Sequence, residues 1–402
     1  MRIVVKATLS LLVSRGIGLA IQFLNFVLLA RSVAPETLGV IAFYTAFFMI
    51  VGAVSDSGAS VLLPVSVTNN RVEDTRKILD VQSGFFILGC SLCLVGLLTC
   101  TWFQIPSWVP VLGIWAATEF ACELLMTVSF GRFEYKSSQY SVLFRRGGTL
   151  ILYLLVSTIT SYVVSYAVSQ AVSGAFAVLL LVHRHRSLVR LVRPTLSPKQ
   201  LAQYFRIVRP VLLTQYLTAL RNLDVLILFL VSGKLALAAY SVAAKFVMPI
   251  QIAYSSFGSI ALPHAATAGG RKLSFFYLRI LYVSLAIGIF VFLLRSPLSL
   301  AYSYIVGSNY SNQFQIVWLA LLLAPIVFST LPFTAISLGR GDTSTAQKAS
   351  ALFTGVLLVL GSAFGYIFGA GGMLFAVAVA ALVKVGMLLF SKPCMESALQ
   401  SD

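Results

Sequence analysis

Eight ionisable side chains stand inside runs of residues that otherwise suit hydrocarbon: Arg15, Asp56, Glu119, Glu123, Arg221, Asp224, Lys245 and Lys384. Charges in such places are costly; they usually face a protein interior or a wet pathway and pair with one another. Arg221 and Asp224 lie three apart in "TALRNLDVLILFLV" (218–231), which puts both on one face of a helix. Lys245, one helix later, can share Asp224, leaving the planar fork of Arg221 suited to a phosphate. Glu119 and Glu123 are four apart and also share a face. Two buried carboxylates at that spacing repel, so either one holds a proton or both share a cation. The blander alternative is that one bonds a neighbouring helix and the other meets water. Arg15 and Asp56 lie at similar depths of consecutive helices, where a structural ion pair and a functional one can coexist. Lys384 is near enough to the inner end of its helix to snorkel out. These residues suit anion binding (Arg15, Arg221, Lys245) and ion coupling (Glu119, Glu123, Asp56, Asp224).

The elements that carry them follow from composition. The 402 residues are 59% hydrophobic and 10% charged, with mean hydropathy +0.94. A soluble domain carries about 25% charged residues. The chain reads as an all-α polytopic membrane protein. A crossing helix needs about 20 apolar residues, and twelve stretches qualify: 8–30, 38–63, 81–101, 108–130, 141–160, 163–183, 207–231, 237–262, 276–295, 314–337, 348–368 and 371–391. "STITSY" (157–162) and "FGAGG" (368–372) are the turns that separate two long apolar runs into pairs.

Most of the 29 Lys and Arg fall on one side of this arrangement, in groups such as Arg71–Arg76–Lys77, Arg132–Lys136–Arg145–Arg146 and Arg184 to Arg209. Only Arg31, Lys234 and Arg295 fall on the other. Cytoplasmic loops collect basic residues, so both termini are expected in the cytoplasm. The net charge of +17 is therefore topological, and a nucleic-acid partner is not expected. Trp102 and Trp108 flank one outer turn, where interfacial tryptophans belong. Cys90-x-x-Cys93 lacks a second ligand pair and sits in an apolar run, so packing is the better reading than a metal or redox site. No cofactor is implied.

The longest connection, at 184–206, divides the chain into an N-terminal lobe (1–183) and a C-terminal lobe (207–391), with a tail at 392–402. A faint repeat at offset 199 supports the division: "SVLLP" (60–64) corresponds to "SIALP" (259–263), and "AFAV" (175–178) to "LFAV" (374–377). Repeated halves are usual in transporters that alternate access around a central site.

"LLARSVAPETLGVIAFYTAFFMIVGAVSDSGAS" (28–60) resembles the first two helices of polysaccharide and O-antigen flippases, through Arg31, Glu36, Gly39, Asp56 and Gly58. These flippases belong to the multidrug/oligosaccharidyl-lipid/polysaccharide exporter superfamily. "RNLDVLIL" with "LAAYSVAAKFVMPIQ" (221–251) is similar to their seventh and eighth helices, including Asp224 and Tyr240. "GSNY" (307–310), "LGRGDTSTAQKA" (338–349) and "GAGGMLFAVAVA" (369–380) are similar to later segments. The resemblance implies twelve helices in two six-helix lobes around a central cavity. It implies a bacterial inner-membrane protein whose cargo is an undecaprenyl-pyrophosphate-linked glycan, such as an O-antigen unit of lipopolysaccharide, with membrane lipid and a polysaccharide polymerase as partners. The nearest rival is a multidrug or cation antiporter of the same superfamily, against which Arg15 and Arg221 argue. A glycosyltransferase or polymerase is disfavoured, since three histidines at inner positions and short outer loops offer no catalytic constellation.

Overall fold

A computed structural model of the chain describes the backbone of residues 2–390, apart from 101, 103, 133, 191, 268–269 and 340–341. Side chains are left undescribed at further positions, including 1–13, Arg15, Arg221 and 259–276. The regular structure of the described residues is all helix, without strands. In chain order the helices are α1 Arg2–Ser32, α2 Pro35–Asp56, α3 Ala59–Thr68, α4 Val72–Thr99, α5 Trp108–Gly131, α6 Tyr135–Val156 and α7 Tyr162–Arg184. There follow α8 Arg186–Val189, α9 Pro198–Ala219, α10 Leu223–Thr267, α11 Gly270–Leu293, α12 Arg295–Val306, α13 Phe314–Gly339 and α14 Thr343–Leu389.

Among the described residues, seven helices are long and apolar enough to cross a membrane, or eight if α11 and α12, bent by 72°, form one broken span. α6 and α9 fall outside this set because each carries several polar and basic residues: Lys136, Arg145 and Arg146 in one, Lys199, Arg206 and Arg209 in the other. The two longest helices are each interrupted. α10 breaks at Gly233 (φ 78°) and α14 at Gly369 (φ 59°), a left-handed conformation that costs glycine little. The expected turns at 157–162 and 368–372 are both present.

Contacts divide the chain into two compact units, Met1–Val33 with Tyr44–Ala219, and Ala34–Phe43 with Leu220–Asp402. α9 thus falls in the first unit, whereas the hydropathy reading opens the second lobe at 207. The cause is visible in its packing: Tyr204 and Val208 are fully buried against Ala59, Leu63, Ile78, Leu79 and Val128. The connection before α9 is also fastened. The Asp80 carboxylate accepts from the Arg193 N–H at 2.6 Å, and its carbonyl accepts from the Thr195 N–H at 3.1 Å. Gly84 permits this approach, because a Cβ there would stand 2.6 Å from the Thr195 carbonyl oxygen.

In the second unit, α10, α13 and α14 pack around Leu228, Leu237, Tyr240, Phe353, Leu357 and Met373. The segment 34–43 joins this unit through Gly39, where a side chain would collide with the Lys234 carbonyl.

A buried charge cluster as candidate functional site

α5, α6 and α7 approach closely because their facing residues are small. α7 places Ser165, Ser169 and Ser173 four apart, all buried, and each hydroxyl donates to the carbonyl four residues earlier. Thr149 of α6 meets Ser173 at 3.0 Å, Gly148 packs on the Ser173 Cβ, and Gly174 packs on Thr118 of α5. Near backbones let long side chains on α5 and α6 reach each other.

Those side chains are Glu119 and Glu123 on α5, and Arg145 and Arg146 on α6. Arg146 Nη2 donates to Glu119 Oε1 at 2.7 Å, and Arg145 Nη2 to Glu123 Oε1 at 3.2 Å. Arg145 Nη1 stands 3.2 Å from Glu119 Oε2, out of line for a hydrogen bond. The Arg145 side chain is 3% exposed and that of Glu119 8%, whereas Glu123 is 52% exposed. Arg145 Nε and Arg146 Nη1 are buried donors with no hydrogen-bond partner among the described residues. Tyr166 and Gln170 of α7 stand beside the cluster. Burying one such charge alone would be prohibitive; here Arg145, Arg146 and Glu119 are held largely out of water by charges that cancel, with Glu123 at the wet edge.

One expectation is corrected: α6 begins at Tyr135 rather than 141, so Arg145 and Arg146 lie in the middle of this 22-residue helix and not near its inner end. Of the two ways in which Glu119 and Glu123 were expected to coexist, the described geometry has the shared cation, with Arg145 at 3.2 Å from each.

The other expected residues are more dispersed. Asp56 closes α2 and caps α3: its carboxylate accepts from the Ser60 N–H (3.1 Å), the Ser60 hydroxyl (2.8 Å) and the Gly58 N–H (3.3 Å). The break it caps runs through Ser57 (φ 48°) and Gly58 (φ 94°). Gln82 Nε2 donates to the carbonyls of Ser55 and Asp56 at 3.0 and 3.2 Å, and Tyr204 donates to that of Asp56 at 2.7 Å. Helix ends leave such carbonyls without intrahelical partners, and these side chains supply them.

Arg221 and Asp224 do not share the middle of one helix, which is a further correction. Arg221 lies in a 3-10 turn, Leu220–Asn222, and Asp224 in the first turn of α10. There a carboxylate gains from the helix dipole. It accepts from the Val225 N–H at 2.8 Å and from the Tyr240 hydroxyl. Lys245 is half-buried further along α10. The side chains of Arg221 and Arg15 are outside the described residues. The backbone of Arg15 is one turn before Gly18, where a Cβ would come within 2.9 Å of Val142 and 3.7 Å of Arg146. α1 therefore crosses α6 near the arginine pair.

The first unit also holds an apolar cavity of about 430 Å³ between α2, α4, α5 and the end of α7. Phe48, Val51, Phe86 and Phe120 line it, and Asp56 and Gln82 stand at its polar end. Cys93 borders it as a free, half-buried thiol packed on Gly113, in keeping with a packing role. No group of three or more metal-ligating side chains occurs among the described residues.

The arginine pair is what hydropathy missed. One signal was available: two glutamates four apart inside a span require compensating cations, and "RRGG" in the next apolar stretch supplies them with room to pack.

No curated protein matches the sequence. Among solved structures, Lipid II flippase MurJ in an inward closed conformation aligns with TM-score 0.70 at 14% identity, over 97% of this chain and 90% of that one. An inward-facing multidrug resistance MATE family transporter of the MOP superfamily aligns with TM-score 0.67 at 16% identity, over 95% and 96%. An outward-facing form of such a transporter aligns with TM-score 0.64, also at 16%. Likeness at these identities speaks for the fold. The family described as "Polysaccharide biosynthesis protein" matches residues 4–268, and the chain belongs to it.

Proposed function

We propose that the protein is a flippase that carries an undecaprenyl-pyrophosphate-linked oligosaccharide, an O-antigen or capsule repeat unit, from the inner to the outer leaflet of a bacterial cytoplasmic membrane. It crosses twelve times, keeps both termini in the cytoplasm and works by ion-coupled alternating access. The observation that carries this reading is a guanidinium pair, Arg145 buried and Arg146 mostly so, within a member of a polysaccharide biosynthesis family. Guanidinium forks suit phosphate oxygens in a way that carboxylates alone do not. An apolar cavity in the size range of small-ligand sites fits hydrocarbon and offers few groups to a sugar.

In this scheme Arg15, Arg221 and Lys245 assist in holding the pyrophosphate. Glu119, Glu123, Asp56 and Asp224 are the carboxylates through which an ion gradient acts. Asp56 also has the structural task of capping α3, so its removal is expected to cost folding as well as coupling. The glycan would then meet a polymerase at the outer face.

The multidrug antiporter shares the fold, but a cationic drug would gain nothing from two buried arginines. The deciding experiment uses cells that lack their own glycan flippase. Expression of this chain should restore surface glycan and leave sensitivity to cationic drugs unchanged. Drug resistance without surface glycan would reverse the choice.

A further inference from the structure

The four charges on α5 and α6 sum to zero, and this limits what the arginines can do. An anion gains little from a guanidinium already neutralised by a carboxylate, so one carboxylate must give way first. The two differ in how firmly they are held. Glu119 is buried and faces both arginines, whereas Glu123 meets Arg145 alone, at 3.2 Å, and is half exposed. Glu123 is the weaker link and the one that protons can reach. Beside it Arg145 carries a buried Nε with no hydrogen-bond partner among the described residues.

We propose that Glu123 and a phosphate group compete for Arg145, so that Glu123 takes up one proton when the phosphate binds. The inference rests on the flippase reading and specifies its coupling. In the resting state Arg145 Nη2 donates to the Glu123 carboxylate. Protonation turns that carboxylate into a neutral acid, the ion pair opens, and the guanidinium donates to a phosphate oxygen instead. The cluster gains one positive charge as the anion arrives, which offsets part of the negative charge that the anion brings. Loss of the proton restores the carboxylate, which reclaims Arg145 and expels the anion. No covalent step is involved.

The groups around Glu123 permit this exchange. α6 contributes Arg145 and Arg146, and α7 contributes Tyr166, half-buried within electrostatic reach of Arg146 and Glu119. On α5 itself stand Glu119 and the buried Cys122 thiol. α3 has no titratable side chain. α4 has Asp80, engaged by Arg76 and the Arg193 N–H, and the thiols of Cys90 and Cys93. Glu119 remains with Arg146 throughout and keeps the helices together.

The test uses the purified full chain in lipid nanodiscs and inorganic pyrophosphate as the probe, titrated calorimetrically in two buffers of different ionisation enthalpy. The wild type should take up about one proton per pyrophosphate bound, and over the pH range of that uptake its affinity should fall about tenfold per pH unit as pH rises. Glu123→Gln, a permanent mimic of the protonated acid, should bind more tightly than the wild type wherever the wild type takes up a proton, with no proton uptake of its own. Nanodiscs with and without phosphatidylglycerol separate a general lipid-phosphate site from a pyrophosphate site, since a general site would be competed by the anionic lipid. Binding with no linked proton overturns the competition and leaves the flippase reading standing. Failure of wild type and Glu123→Gln to bind between about pH 5.5 and 8 also overturns it, and glycan export in cells then decides whether the reading falls too. If Glu123→Gln does not fold, the wild-type proton count alone decides: one proton supports the competition and none overturns it.

Discussion

Replacing Glu119 by glutamine keeps the shape of the side chain and removes its charge. Arg146 then loses the carboxylate at 2.7 Å, its only ion-pair partner among the described residues, and Arg145 keeps Glu123 alone. At an effective dielectric constant of about 20, a contact of this length is worth roughly 6 kcal/mol in gross attraction. The glutamine retains a hydrogen bond and no longer needs its charge desolvated, so the net cost is roughly 3–5 kcal/mol. Arg146→Gln should cost less, because Glu119 still faces Arg145 at 3.2 Å. The double variant Glu119→Gln/Arg146→Gln leaves Arg145 with Glu123, a neutral pair, and should recover about 2–3 kcal/mol relative to the sum of the singles. For a unit of roughly 200 residues each kcal/mol moves Tm by about 2–4 °C. The cycle should thus show about 4–12 °C of non-additivity when melting is followed in detergent. Strictly additive shifts would mean that the two side chains do not feel each other, and the cluster as described would be wrong.

Two further perturbations probe the surroundings. Gly84→Ala puts a methyl group against the Thr195 carbonyl, a backbone atom that cannot rotate away. It should free the connection before α9, seen as faster proteolysis between residues 190 and 197; unchanged cleavage would contradict the clamp at Asp80. His185 ends α7, fully buried, with Nε2 at 2.8 Å from the Ser129 hydroxyl. Burial, and then the charge of Arg132, hold its pKa below the usual 6.5. A depressed histidine is neutral in the fold and binds its proton more readily when unfolded. Its contribution is therefore complete above about pH 6.5 and is lost as pH falls through that value toward the folded pKa. Tm should drop between about pH 7 and 5, and His185→Gln should flatten that slope; equal slopes would remove His185 from the account.

Some of this architecture was legible in residue order and some was not, for identifiable reasons. The turns at 157–162 and 368–372 were readable because a polar cluster or a glycine group interrupts an apolar run. The break at Asp56-Ser57-Gly58 was missed, because 38–63 is apolar enough to read as one crossing, and the cap on Ser60 that stabilises the break depends on the fold. The start of α6 was hidden because "YKSSQY" (135–140) is polar, so hydropathy began the helix at 141 and left Arg145 and Arg146 near a loop. A hydropathy average cannot tell a charge in water from one neutralised by a neighbouring helix. The junction at Leu220–Asn222 has neither glycine nor proline, and Arg221 and Asp224 therefore looked like one helical face. α9 was assigned to the second lobe because lobe membership is decided by tertiary partners, here the pocket that receives Tyr204 and Val208.

The central claim is that the arginine pair moves a pyrophosphate-linked lipid across the membrane. The most direct measurement places a fluorescent polyprenyl-pyrophosphate oligosaccharide in the lumenal leaflet of sealed proteoliposomes and follows its arrival at the outside by quenching. The wild-type chain should accelerate arrival. Arg145→Gln combined with Glu123→Gln, which removes one charge of each sign and so keeps the cluster neutral, should insert normally and lose nearly all of that acceleration. Normal transport by this folded double variant would contradict the account.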